Sequence, residues 1–272
     1  MQLQEWRYIP YKKYSPAWNM AIDEAIMIAH REGKVPPTLR FYGWNPASLT
    51  IGYFQKVEKE VDREELYKRG LGFVRRMTGG RAVLHDQELT YSVVVSEGHP
   101  MIPSTVSESY RVISQGLVAG FQELGMDAYM SLPKKRPTMT SAACFDSPSD
   151  YELVLEGKKV AGSAQVRKHG IVLQHGSILL DLDIDLLFSV LRFPSERVRE
   201  RLKASFTEKA VAINDLRSEK VTIKEVIAAF EKGFAKGMGI RLKKEALTPY
   251  EEELAHQLVE EKYGHDRWNL QR

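Results

Sequence analysis

The chain has 272 residues, 43% apolar and 28% charged, with 39 basic against 36 acidic side chains and a net charge of +3. Such a balance fits an ordinary globular protein and argues against a dedicated nucleic-acid binder, in which positive charge accumulates. No apolar run approaches the roughly 18 residues of a membrane span, Met1 to Arg7 lacks a signal-peptide core, and the single cysteine, Cys144, excludes an internal disulfide framework or Cys-rich zinc site.

A cytoplasmic location is therefore expected. Trp6 to Pro10 reads as a short edge strand. Ser15 is placed to cap a helix with Pro16 at its first position, and Met20, Ile22, Ala25, Ile26, Ile28 and Ala29 form its apolar stripe to about His30. Asn19, Asp23 and Glu24 fall on what that stripe predicts to be the solvated face. Two strand runs, Leu39 to Trp44 and Ser48 to Phe54, flank an Asn45-Pro46 turn. Lys56 to Arg69 predicts one charged amphipathic helix, stopped by Gly70.

The stretch Gly72 to Asp86 is the segment around which the chain is organised. An apolar strand runs into Arg75 and Arg76, then through Thr78 to the pair Gly79-Gly80, and a second apolar run from Arg81 through Val83 ends in His85-Asp86. Paired glycines let the backbone take φ > 0 and approach a ligand closely. Three arginines around the bend offer forked donors to a carboxylate, carbonyl or phosphate. A plain hairpin with a solvated basic rim fits the same spacing. The strand Leu89 to Val95 then completes a first sheet.

Pro100 and Pro103 break the chain before a helix from the capping-box pair Thr105 and Glu108 to Leu124, with Gly125 as its stop. Asp127 to Leu132 reads as a strand, and residues 133–143, without periodicity, as a loop leading to Cys144. Three more strands are expected at 151–155, 159–165 and 170–180, joined by turns at Glu156-Gly157 and Lys168-His169-Gly170. The remainder reads as mostly helical, over 183–191, 195–204, 222–237 and 248–263. Residues 215–272 predict a small helical annex packed on a main domain of residues 1–214, being too short for an independent core.

Cys144 is the first residue with chemistry to explain. A lone cysteine is usually a small buried hydrophobe, but this one ends a polar, unpatterned segment, where binding and catalytic roles concentrate. A neighbouring cation depresses a thiol's pKa and makes it nucleophilic. Lys159 is the candidate, on a strand whose alternation puts Lys159, Ala161, Ser163 and Gln165 on one face; a solvated sheet face is the alternative. His85 and His175 are possible bases, but neither has metal-ligand spacing. No phosphate-binding GxxxxGK[ST] loop or strand-linked GxGxxG occurs.

Arg75-Arg76-Met77-Thr78-Gly79-Gly80-Arg81-Ala82-Val83-Leu84-His85-Asp86 resembles the RRxxGG…HD signature of the lipoate-protein ligase, octanoyltransferase and biotin-protein ligase superfamily. Lys159-Val160-Ala161-Gly162-Ser163-Ala164-Gln165 resembles its KxxGxAQ signature, Asn19-Met20-Ala21 with Asp23-Glu24 its first helix, and Trp268-Asn269 its C-terminal end. Cys144-Phe145-Asp146 ahead of the lysine strand is similar to the cysteine-dependent octanoyltransferases of Gram-positive bacteria. The resemblance implies a mixed α/β fold, with large and small mixed β-sheets flanked by helices as in biotin/lipoate-protein ligase catalytic domains. It implies that Cys144 takes an octanoyl group from octanoyl-acyl carrier protein as a thioester, helped by Lys159, and passes it to a lysine of a lipoyl domain, most simply the glycine-cleavage H protein. Arg75, Arg76, Thr78, Gly79, Gly80, Arg81, Val83 and His85, with Gly162, Ser163 and Ala164, would bind substrate.

No cofactor, nucleic acid or membrane is implied, and the chain would act as a monomer. Phe41, Tyr42 and Val83 are candidate walls of an acyl tunnel, with Ala161 and Ser163 leaving room for the chain. The basic run Lys134-Lys135-Arg136 is a candidate contact for an acidic carrier. Arg81, where ATP-using ligases usually carry a small residue, favours transfer over ligation. An ATP-dependent lipoate ligase and a non-catalytic lipoyl- or acyl-carrier-binding protein are the competing readings.

Overall fold

The fold is that of a computed structural model, described over residues 3–131 and 152–272. Strand β1 (Gln4–Tyr14), helix α1 (Pro16–Arg31) and strand β2 (Thr38–Trp44) form a unit in which β1 and β2 run parallel. Parallel neighbours need a crossover, and α1 supplies it. Its N-terminus forms where expected, with the Ser15 hydroxyl accepting from the Trp18 amide and Pro16 in the first turn. The chain then leaves the large sheet. Strand β3 (Ser48–Ile51) pairs with β4 (Gly72–Arg75) and β5 (Val83–His85) in a separate three-stranded sheet, ordered β4-β3-β5.

The Gly-Gly stretch is thus no plain hairpin: β4 and β5 both pair with β3, and not with each other. Nor is the helix at 56–69 continuous. It divides into α2 (Val57–Glu60) and α3 (Arg63–Lys68), because Val61 leaves the helix to bridge Leu191 and Asp62 caps the second piece.

The chain returns to the large sheet with β6 (Glu88–Ser96), antiparallel to β2, and crosses it with α4 (Val106–Glu123). Strands β7 (Tyr129–Met130), β8 (Leu153–Leu155), β9 (Lys158–Lys168) and β10 (Ile171–Leu179) complete one side. The turns β8–β9 and β9–β10 place Glu156-Gly157 and His169-Gly170 at positive φ, as hairpins of this twist require. Helices α5 (Ile184–Ser189), α6 (Glu196–Lys209) and α7 (Ile223–Met238) come next, then β11 (Ile240–Lys244), α8 (Pro249–Leu258) and α9 (Asp266–Asn269). The large sheet runs β11-β1-β2-β6-β10-β9-β8-β7. Strand β11, within a stretch read as helical, pairs with β1, which is therefore longer than expected and interior rather than an edge.

Alternation along β6 divides the molecule. Leu89, Tyr91, Val93 and Val95 join a core under α4 and α7 with Phe41, Leu117, Phe121, Phe230 and Phe234. Helices α4 and α7 approach closely because Gly116 and Gly120 meet Phe234 and Phe230, while Gly233 lies against the Gly120 backbone. The opposite face carries α1 and α8 over Ile9, Tyr42, Trp44, Val94 and Leu173. A third cluster joins the small sheet to α5 and α6 through Leu49, Ile51, Leu187, Phe188 and Phe206.

Candidate active site

On the α1 face, cross-strand register lays out two rows of side chains. One runs Gly162–Ser177–Thr90–Tyr42 from β9 to β2, and the next runs Ala164–His175–Ser92–Arg40. Three strand spacings make each row about 14 Å long. The first row is small at the β9 end and aromatic at the β2 end, where Trp44 adds its indole. The small sheet roofs it with Arg76, Gly80, Val83 and His85, and Met20 of α1 closes the side. The slot so formed is partly open to solvent.

The Gly79-Gly80 bend brings the two sequence signatures together. Gly80 has φ +94°, a conformation side chains resist, and a Cβ there would stand 3.3 Å from Arg76 Nη2 and 3.9 Å from the Ala164 methyl. Its carbonyl packs on Gly52, where any Cβ would overlap it. Arg76 spans the bend from inside, donating to Thr50 Oγ1 at 2.6 Å, the Gly79 carbonyl at 3.2 Å and the Arg81 carbonyl at 2.9 Å. Thr50 in turn meets His85 Nε2 at 2.8 Å, and His85 Nδ1 meets Glu88 at 2.7 Å. Trp44 stacks on His85 with ring centroids 4.2 Å apart, and its Nε1 donates to Thr90 Oγ1 and Glu88. The slot's aromatic end is therefore held on three sides.

A second network lies behind the floor. Asp23, on α1, accepts from Arg40 Nη1 at 2.7 Å and from the Tyr42 and Ser92 hydroxyls at 2.9 Å each, and lies 3.5 Å from His175 Nδ1. Asn19 takes Arg40 Nη2 at 2.7 Å and donates to the Tyr14 and Gly43 carbonyls. Asn19 and Asp23 thus lie inside the protein, contrary to the expectation of a solvated face, and Glu24 is held by Lys262 and Tyr263. The reason is Arg40, a cation on a strand buried on both faces, which needs an internal partner. Burial pushes the Asp23 pKa up, but the Arg40 charge and the His175 contact outweigh it, so the carboxyl stays below its ordinary value. Burial holds His175 below its ordinary value against the pull of Asp23. A proton on Nδ1 facing Asp23 leaves Nε2, 2.7 Å from the Thr78 hydroxyl, to accept from it.

Of the residues singled out by sequence, Arg76, Gly80, Val83, His85, Gly162, Ser163 and Ala164 line the slot. Arg75 does not reach it; its buried guanidinium binds the Gly52, Tyr53, Gln55 and Asn269 carbonyls. Thr78 lies beneath on His175, and Gly79 and Arg81 contribute carbonyls to Arg76. Lys159 is 6% exposed and pairs with Glu152 at 2.8 Å. Cys144 and Lys134-Lys135-Arg136 lie outside the described residues.

Of the proposed tunnel walls, Tyr42, Val83 and Ser163 line the slot, whereas Phe41 and Ala161 face the core under α4 and α7. The expected single face of β9 is interrupted: Val160 is an extra residue opposite the Leu153–Val154 step, and Val160 and Ala161 enter the same core. Sequence reasoning missed Trp44, Thr90, Ser177 and Arg40. The signals were Arg40 amid Leu39, Phe41 and Tyr42, and hydroxyls alternating with apolar residues in β6.

Two sheets meeting over an apolar slot, with a glycine bend at one wall and a lysine strand at another, define a domain that handles an acyl chain. The chain belongs to the lipoyl protein ligase A/B catalytic domain family, whose model matches residues 15–235. It is 60% identical to the octanoyltransferase LipM of Brevibacillus brevis, covering 99% of this chain and 100% of the relative. It is 55% identical to the octanoyltransferase LipM of Bacillus subtilis, covering 100% of both. The bipartite lipoate protein ligase of Thermoplasma acidophilum superposes with a TM-score of 0.82 at 30% identity, covering 98% of this chain and 96% of that one.

Proposed function

We propose that the protein is an octanoyltransferase of lipoate biosynthesis, which takes an octanoyl group from octanoyl-acyl carrier protein onto Cys144 and delivers it to a lysine of a lipoyl domain, with the glycine-cleavage H protein as favoured acceptor. The observation that carries this reading is the full-length identity of 55–60% to curated octanoyltransferases. Exchange of an acyl group between two thiols is close to neutral, and thioester to amide is downhill, so no ATP is needed. A covalent intermediate divides the transfer into two easier steps. Burying the tail methylenes at about 0.8 kcal/mol each gives roughly 5 kcal/mol of binding for an octanoyl chain. Arg76, Gly80, Val83, His85, Gly162, Ser163 and Ala164 form the substrate walls. Lys159 activates the thiol, sharing its ammonium with Glu152. No described helix is long and apolar enough to cross a membrane; the reading places the enzyme in the cytoplasm as a monomer.

Intact mass spectrometry after mixing with octanoyl-acyl carrier protein tests the proposal. An octanoyl adduct on Cys144, absent from Cys144→Ala, is expected, together with loss of transfer to the H protein in that variant. Full transfer by Cys144→Ala rules the reading out. Release of pyrophosphate with free lipoate and ATP would assign a ligase instead.

A further inference from the structure

The floor of the slot contains a hydroxyl without a partner among the described residues. Ser177 on β10 lines the slot and is 2% exposed, and its Oγ makes no hydrogen bond there. Its neighbours along the row do not supply one. Gly162 has no side chain, and the Thr90 hydroxyl is engaged with Glu88 and Trp44. A buried hydroxyl left unsatisfied carries its full desolvation penalty, and alanine would serve a run of methylenes better. The unused donor therefore fits a ligand with a polar atom at that point. In an acyl thioester every tail atom is carbon, and the carbonyl oxygen is the acceptor. Ser177 stands in the right half of the slot for it, beside Gly162 on the strand that carries Lys159, with the aromatic wall of Tyr42 and Trp44 at the other end.

We propose that Ser177 is a catalytic residue that donates a hydrogen bond to the acyl carbonyl oxygen and holds the negative charge that develops on it. This role rests on the octanoyl-transfer reading. As the nucleophile's electron pair forms the new bond to the carbonyl carbon, the C=O π pair moves onto oxygen, where the Ser177 hydroxyl meets it. On collapse that pair re-forms the carbonyl, the C–S bond to the donor breaks, and the departing thiolate takes the proton given up by the nucleophile. Ser177 keeps its own proton throughout.

Steady-state octanoyl transfer from octanoyl-acyl carrier protein to a lipoyl domain, measured for the wild type, Ser177→Ala and Ser177→Thr, tests this. Removing a donor to a developing oxyanion lowers kcat about 10²-fold, so Ser177→Ala should lose that much with KM within about threefold of wild type. Ser177→Thr, which restores a hydroxyl, should recover most of kcat. Because the hydroxyl has no described partner, Ser177→Ala should melt at or above the wild-type temperature. Three results overturn the proposal: an Ala variant with kcat within about threefold of wild type, an effect on KM alone, or an Ala variant that melts well below wild type. Absence of octanoyl transfer by the wild type would instead remove the underlying reading, and this role with it.

Discussion

Replacing Asp23 by asparagine tests whether the network behind the slot is an electrostatic unit. The Asp23 and Arg40 side chains are 2% and 1% exposed, and they meet at 2.7 Å. Asparagine keeps the shape and removes the charge. Arg40 would then retain the Asn19 backbone and side-chain oxygens, at 3.1 and 2.7 Å, and the face of the Tyr42 ring, but no opposite charge among the described residues. Removing one member of a buried pair costs about 3–5 kcal/mol, and because an amide oxygen still accepts from one neighbour the lower end, about 3 kcal/mol, is expected. For a domain of this size that corresponds to a fall in Tm of about 6–12 °C. Urea unfolding of Asp23→Asn, Arg40→Met and the double variant gives the coupling directly, and it should reach at least about 1.5 kcal/mol. Additive losses, or a loss below about 1 kcal/mol in Asp23→Asn, would refute the reasoning. The pH dependence has a definite sign. The folded carboxyl titrates below its unfolded value of about 3.9, so its contribution is full above that pH and is lost as pH falls through the lower folded value. Asp23→Asn should flatten that acid limb.

Gly80→Ala forces a side chain onto φ +94° against Arg76; a strain of about 1–3 kcal/mol at the slot wall should lower octanoyl transfer at least about tenfold, as initial rates will show. Burial holds His30, His99 and His175 below their ordinary pKa. The unfolded chain therefore takes up protons first as pH falls below about 6.5, and stability should drop by up to about 1.4 kcal/mol per pH unit per histidine, read from urea midpoints. His30→Gln should reduce that slope. Gly233→Ala puts a methyl into the Gly120 backbone; overpacking of about 1–3 kcal/mol should exceed the helix-propensity gain of about 1 kcal/mol and lower Tm. Asn269 accepts from the Arg75 amide at 2.9 Å and donates to the Tyr263 carbonyl, so Asn269→Ala should cost about 2 kcal/mol in urea unfolding by leaving buried backbone groups unpaired.

Residues adjacent in sequence were the legible ones. The Ser15 and Thr105 caps, the two positive-φ hairpin turns and both signature stretches depend on interactions spanning a few positions, and each lies where spacing put it. The split of residues 56–69 was not legible, because Leu191 determines it from far along the chain. Strand β11 was missed for a similar reason: Ile240–Lys244 has too few residues for a clear alternation, and its pairing with β1 exists only after α7 has crossed the core.

The amino-acid order by itself determined the helix caps at Ser15 and Thr105, the two hairpin turns and the family likeness, and through that likeness the mixed α/β class, since caps, turns and signatures reside in local pattern. Tertiary structure decided which of those residues share a site. Asp23 becomes internal only when Arg40 arrives on β2, and Ser177 becomes the floor of a slot only when β9, β10, β6 and β2 are laid side by side. Both outcomes arise from register and burial, which link residues far apart in the chain and leave no local trace in composition or periodicity.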